Sequence, residues 1–294
     1  MQLLPAGSSV KFFLQGGSMQ ILLRMCLLGL TALLVSCANL EEVRQFAGES
    51  AKLTAYREMT QNWANTYERE KPYLFDNNLA LAKSEDKARR EAVTDLLKIH
   101  ETVAMYFAVL GNLAGDDAFS VHSNADGLAK QIKASRLTGL EDKHVDAYVR
   151  ISGIVSSWML SGYQQREIAK YVESGNDPVQ TMLAGMRQVV KVYAGTLRNE
   201  RGRYGFLNLV GKETPQDQIV AALANSEYIR LSVQADAARK KLTTLDQSIV
   251  KISEGHQKLY DSRNELGSDA LRIIIASMSK DLKSLWNELN IVKG

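Results

Sequence analysis

The sequence predicts an all-α fold, an antiparallel bundle of about six or seven long helices with coiled-coil-like packing. Three observations point there. Apolar residues recur at spacings of three and four along most of the chain, the period of a helix that buries one face. Prolines are scarce: of four, only Pro72, Pro178 and Pro215 lie beyond residue 36. No apolar–polar alternation of the kind a half-buried strand needs recurs.

The elements follow from that spacing. Residues 40–70 carry Phe46, Leu53, Tyr56, Trp63 and Tyr67 on one stripe. Asp76-Asn77-Asn78 marks a loop, and residues 84–114 then hold Ala92, Leu96, Ile99, Val103, Tyr106, Leu110 and Leu113. Gly115-Asp116-Asp117 closes that helix. Residues 116–141 are irregular, with one short helix expected from Asn124 to Ser135 and a break at Gly139. Residues 142–174 carry Ile151, Ile154, Trp158, Gln165, Ile168 and Val172. Gly175-Asn176-Asp177-Pro178 reads as a helix stop with Asp177 capping the next helix, whose stripe is Val179, Met182, Met186, Val189 and Tyr193.

The longest helix is expected from Pro215 to about Leu266, with Thr214 as N-cap and proline at the first helical position. Its second half repeats Leu242, Leu245, Ile249, Ile252, His256, Leu259, Arg263 and Leu266 in heptad spacing. Its first half, Ile219, Ala222, Ser226, Ile229 and Val233, is out of phase, a shift resembling a coiled-coil stutter. Gly255 is the weak point. A last helix carries Leu271, Ile275, Met278, Leu282, Leu285, Leu289 and Val292. The methionines at 182, 186 and 278 sit on core stripes and need no cofactor.

The N-terminal region reads differently. After Arg24, the eleven residues Met25–Val35 contain only Thr31 as a polar residue. That length suits the apolar region of a secretory signal and falls short of a membrane span, which needs about 20 residues. Leu34-Val35-Ser36-Cys37 follows. It offers a medium apolar residue, an apolar one, a small one that lets a peptidase reach the backbone, and a thiol that can be acylated. Residues 19–37 therefore resemble a bacterial lipoprotein signal. The resemblance implies cleavage between Ser36 and Cys37, lipidation of Cys37, and a membrane partner reached through that lipid. Ala38 after the cysteine resembles the pattern exported to the outer membrane, facing the periplasm.

Three regions are expected. Residues 1–18 form an upstream extension, since Met19 and Arg24 already supply a compact signal start. Residues 19–36 form the signal peptide, and residues 37–294 a periplasmic all-helical domain. Removing residues 1–36 takes away Lys11 and Arg24 and no acid, so the formal charge falls from +3 to +1. A balanced charge gives no reason to expect nucleic acid. Cys26 leaves with the signal and Cys37 carries lipid, so no thiol remains for disulfides, metals or nucleophilic chemistry.

Catalytic signals are weak. His100, His122, His144 and His256 have no second ligand in a zinc-binding spacing. His256 lies on the heptad stripe and reads as an interhelical hydrogen-bonding residue, His100-Glu101 as a boundary pair. His144 and Asp146, two apart, point to different sides of a helix. Ser277-Met278-Ser279-Lys280 is an S-x-x-K string without the companion motifs of acylating enzymes. Arg239-Lys240-Lys241 reads as a solvated face. No catalytic residue, cofactor or metal site is expected.

The most distinctive internal string is Arg198 to Phe206, a glycine-broken turn in which Arg198, Arg201, Arg203, Tyr204 and Phe206 are candidate partner contacts. The function expected is that of a lipid-anchored, non-enzymatic interaction or accessory module with a protein partner. Two alternatives stand beside it: an enzyme assembled around His100, His144 or His256, and a membrane-active helical bundle.

Overall fold

The computed structural model describes residues 40–115, 131–161, 167–209, 211 and 214–291. The chain divides into two units after Asn39, and the described residues all belong to the second. That unit is an all-α bundle. The lipobox, His122 and residues 124–130 of the expected short helix lie outside the described residues.

Three short helices lead in: α1 (Glu41–Ser50), α2 (Thr54–Ala64) and α3 (Thr66–Glu70), the last running into a 3-10 turn, Lys71–Tyr73. The bundle proper is α4 (Asp76–Ala114), α5 (Asp142–Ser161), α6 (Ile168–Arg203), α7 (Pro215–Asp261) and α8 (Asp269–Ile291), with a 3-10 segment, Tyr204–Leu209, after α6. Cross-links show the antiparallel order. Along α6 and α7, Asn176 meets Gln257, Gln180 meets Ser253, Arg187 meets Asp246 and Arg201 meets Asp236. Along α7 and α8, Lys240 meets Glu288 and Lys251 meets Asp281.

Several boundaries differ from the expectation. The segment expected over residues 142–174 is divided between α5, which ends at Ser161, and α6, which starts at Ile168; α7 stops at Asp261, short of Leu266. The single stripe over residues 40–70 is three helices. Phe46 on the first lies against Phe107, and Trp63 on the second against Tyr193. Asp76-Asn77-Asn78 is the first turn of α4, where short polar residues suit the unpaired N–H groups. Residues 131–134 are irregular and Ser135 and Leu140 form an isolated bridge, with Gly139 in the left-handed region at φ 75°.

The largest difference is in α6. α6 runs straight through Gly175-Asn176-Asp177-Pro178, and Asp177 pairs with Arg150 of α5 rather than capping a helix. A proline inside a helix costs about 3 kcal/mol. Burial of Val172, Gly175, Pro178, Val179 and Met182 on both sides of the break offsets it. Gly175 is required there because a Cβ would overlap the Tyr106 hydroxyl.

Thr214 caps α7 as expected. Its hydroxyl oxygen accepts from the Asp217 N–H at 3.1 Å, and the Asp217 carboxylate accepts from the Thr214 N–H at 2.9 Å. Gly255 does not break α7. It makes room for Phe46, whose ring a Cβ would overlap. Met182 and Met186 are buried, whereas Met278 is half-buried.

The bundle has two distinct ends. α1 lies where α4 finishes and α8 begins: Arg44 lies against Gly115, and Glu42 pairs with Arg272. At the other end α4 and α7 begin and α6 finishes. There Tyr73 lies on Tyr204, and Phe75 on Phe206. The 39 residues of α4 separate these ends by about 58 Å at ~1.5 Å per residue.

Candidate functional site

The candidate contact segment divides along its length. Arg198, Arg201 and Arg203 lie on the last turns of α6 rather than in a turn, and Tyr204 and Phe206 in the 3-10 segment after it. Arg198 and Arg201 are exposed, and Arg201 pairs with Asp236 at 3.0 Å. Phe206 stays partly exposed against Phe75. Arg203 instead reaches Glu70 at 2.8 Å, and Tyr204 is buried.

Arg203 belongs to an ion-pair cluster in which the carboxylates are buried and the guanidinium groups half-buried. Arg69 donates from Nε and Nη2 to the two Glu200 oxygens at 3.0 and 2.5 Å. Glu70 and Glu200 are both buried. Burial pushes the Glu70 carboxyl up to about 7, with Arg203 and Arg89 opposing and Glu200 and Glu85 reinforcing. Next to it, Tyr73 donates to the Glu227 carboxylate, which Arg230 holds down at about 2. Arg69, Glu200 and Tyr204 also line a groove of about 370 Å3 that Glu58, Lys241 and Leu231 complete. Lys241 is thereby drawn out of the solvated face expected of it, pairing with Glu58 at 3.2 Å while Arg239 and Lys240 stay exposed.

Sequence reading missed Glu70 and Glu200, yet a signal existed. Each lies seven residues after a stripe aromatic, Trp63 and Tyr193, so each continues an apolar face. A carboxylate in that phase must be paired when its helix packs.

The histidines occupy separate surroundings. His256 is fully buried: its Nδ1–H donates to Asn176 Oδ1 at 3.1 Å, and its Nε2 accepts from the Tyr106 hydroxyl at 2.8 Å. Burial holds it neutral, its pKa lowered to about 3. His100 stacks on Tyr56 and is lowered to about 4, mainly by burial. His144 Nδ1 accepts the Glu141 N–H at 2.9 Å, and the ring lies against Gly185. Asp146 is exposed and takes no part. Ser277 and Lys280 are exposed on α8. Among the described residues no group of three His, Cys, Asp or Glu residues comes together in a metal-holding arrangement.

The most unusual surface is on the first half of α7. Ile219, Leu223, Ile229 and Val233 are 64, 67, 54 and 63 % exposed, and Ala222 and Ser226 lie between them, also exposed. The residues that face the bundle are Ala221, Leu231 and Ala235. From Val233 to Leu242 is nine residues, about two and a half helical turns. The stripe therefore leaves on one side of α7 and the buried stripe begins on the other. The phase shift in the sequence is the reason an apolar seam faces outward.

No protein-family model, no curated protein and no solved structure matches this chain.

Proposed function

We propose that the protein is a lipid-anchored bacterial envelope protein, acylated at Cys37, that holds a helical bundle in the periplasm as a non-enzymatic interaction module. The observation that carries this reading is Leu34-Val35-Ser36-Cys37 directly after an apolar signal-length run and three residues before the bundle starts at Leu40. Three residues of chain span at most about 11 Å. A lipid on Cys37 would tether the bundle to the membrane through this short stretch of chain. Among the described residues no helix is long and apolar enough to cross a membrane, so attachment in this reading rests on the acyl chains.

Metabolic labelling with palmitate tests the anchor. The expected result is label on the native chain and none on Cys37→Ser, which accumulates as an unprocessed precursor. Label on Cys37→Ser overturns it. Fractionation of a Gram-negative host is expected to place the native chain in the outer membrane and Ala38→Asp in the inner one. Unchanged placement of Ala38→Asp removes the sorting part of the reading.

A further inference from the structure

We infer that the outward face of α7, from Ile219 to Val233, is a self-association seam whose occupant is the same face of a second copy of this chain. The seam has coiled-coil form. Ile219, Ala222, Ser226, Ile229 and Val233 follow 3-4 spacing on the side of α7 opposite Ala221, Leu231 and Ala235. Small residues at 222 and 226 let two helices approach closely. The four large side chains expose on the order of 500 Å2, as much as the largest apolar patch of a typical monomer, which is often a functional one. With a polar rim of Gln218, Asn225 and Ser232 the face approaches the ~800 Å2 per partner of a standard interface.

Charge selects the occupant. A heterotypic coiled coil chooses its partner through charged residues flanking the seam. Here the flanks are Gln218, Asn225 and Ser232 on one side, Leu223 and Arg230 on the other. Arg230 is already bound to Glu227 through two hydrogen bonds of 2.7 and 2.6 Å. Asp217 is committed to the Thr214 cap. Two identical faces can therefore meet without like-charge repulsion, and nothing on the flanks favours a charged partner instead. A lipid surface fits poorly, because helices that lie on membranes carry unpaired Lys and Arg beside the apolar face.

The face does not depend on the anchor, although copies tethered at Cys37 in one membrane would stand parallel and bring each seam residue to its own counterpart. The test uses the full chain in its native membrane, carrying Ser226→Cys on the seam or Val220→Cys, also exposed but a third of a turn away. Mild oxidation is expected to give a disulfide-linked homodimer from Ser226→Cys at least fivefold in excess of Val220→Cys and of the unsubstituted chain. Equal yields at the two positions, monomer only, or an adduct of another mass overturns the proposal. Ile229→Asp combined with Ser226→Cys is expected to lower dimer yield at least tenfold while thermal unfolding of the dilute monomer stays unchanged, since the side chain is exposed in the single chain. An undiminished yield also overturns it. Repeating the oxidation on Cys37→Ser separates the two readings: dimer with loss of palmitate label leaves both standing. Label on the native chain without dimer removes the seam alone, and dimer without label on the native chain removes the anchor alone.

Discussion

The two halves of α7 share one helix and one apolar spacing and meet opposite fates. From Leu242 to Leu259 the stripe is buried: Leu245, Ile249, Ile252 and His256 are fully enclosed where α7 packs chiefly on α6 and α8, with Tyr106 of α4 reaching His256. From Ile219 to Val233 the stripe faces water, and the smaller residues Ala221 and Ala235, with Leu231, seat the helix on the bundle. Heptad spacing shows that a face is built to be covered. It does not say by what. In the second half the same chain covers it; the first half leaves it open.

The sharpest contrast is energetic. Ile249→Ala is expected to lower unfolding free energy by about 2–5 kcal/mol, because it opens a cavity in a closed core. Ile229→Ala, chemically identical, should change it by less than about 0.5 kcal/mol. Urea denaturation of the two variants at concentrations where the chain is monomeric measures this, and a matched loss at both positions would mean that the first half is covered within the monomer.

Acid should act on the buried half next. His256 and His100 bind protons near 6.5 when unfolded but only near 3 and 4 when folded. Their neutral forms stabilise the fold above pH 6.5, and that contribution is lost as pH falls below 6.5. Each should remove about 2–3 kcal/mol by pH 4.5. Glu70, raised to about 7, works in the opposite sense: its contribution is present below 4.5 and is lost as pH rises through 7. Denaturant midpoints should rise from pH 4 to a maximum near 7, the two histidines outweighing Glu70 over that range. His256→Gln should flatten the rise, and Glu70→Gln should steepen it between 4.5 and 7.

Gly255→Ala should cost about 1–3 kcal/mol, the overlap with Phe46 outweighing alanine's gain of roughly 1 kcal/mol in helix propensity. A Tm above that of the native protein would contradict the close approach. At the open end of α7, Thr214→Ala removes the cap and should cost about 1 kcal/mol. Hydrogen exchange should locate that loss in residues 215–220, leaving the buried half as protected as before.

Much of this was legible in the residues. The all-α class, the cap at Thr214, the interhelical role of His256 and the phase shift within α7 follow from spacing alone. The continuous α6 did not. Gly175-Asn176-Asp177-Pro178 carries strong local stop signals, and local preference there opposes the fold. Tyr106 against Gly175, Asn176 bonded to His256 and a buried Pro178 override it. Glu70 and Glu200 were missed for a related reason: an acid within an apolar phase shows that a partner is needed, but the partner lies about 130 residues away.

Periodicity sets which side of each helix is apolar, because side-chain direction follows from the helical repeat and nothing else. The signal-like segment at Cys37 is likewise a property of consecutive residues. Which apolar side is enclosed, which charges are taken out of water and which helix survives its own proline depend on what stands opposite. Those are contacts between residues far apart in the chain, and only folding brings them within reach.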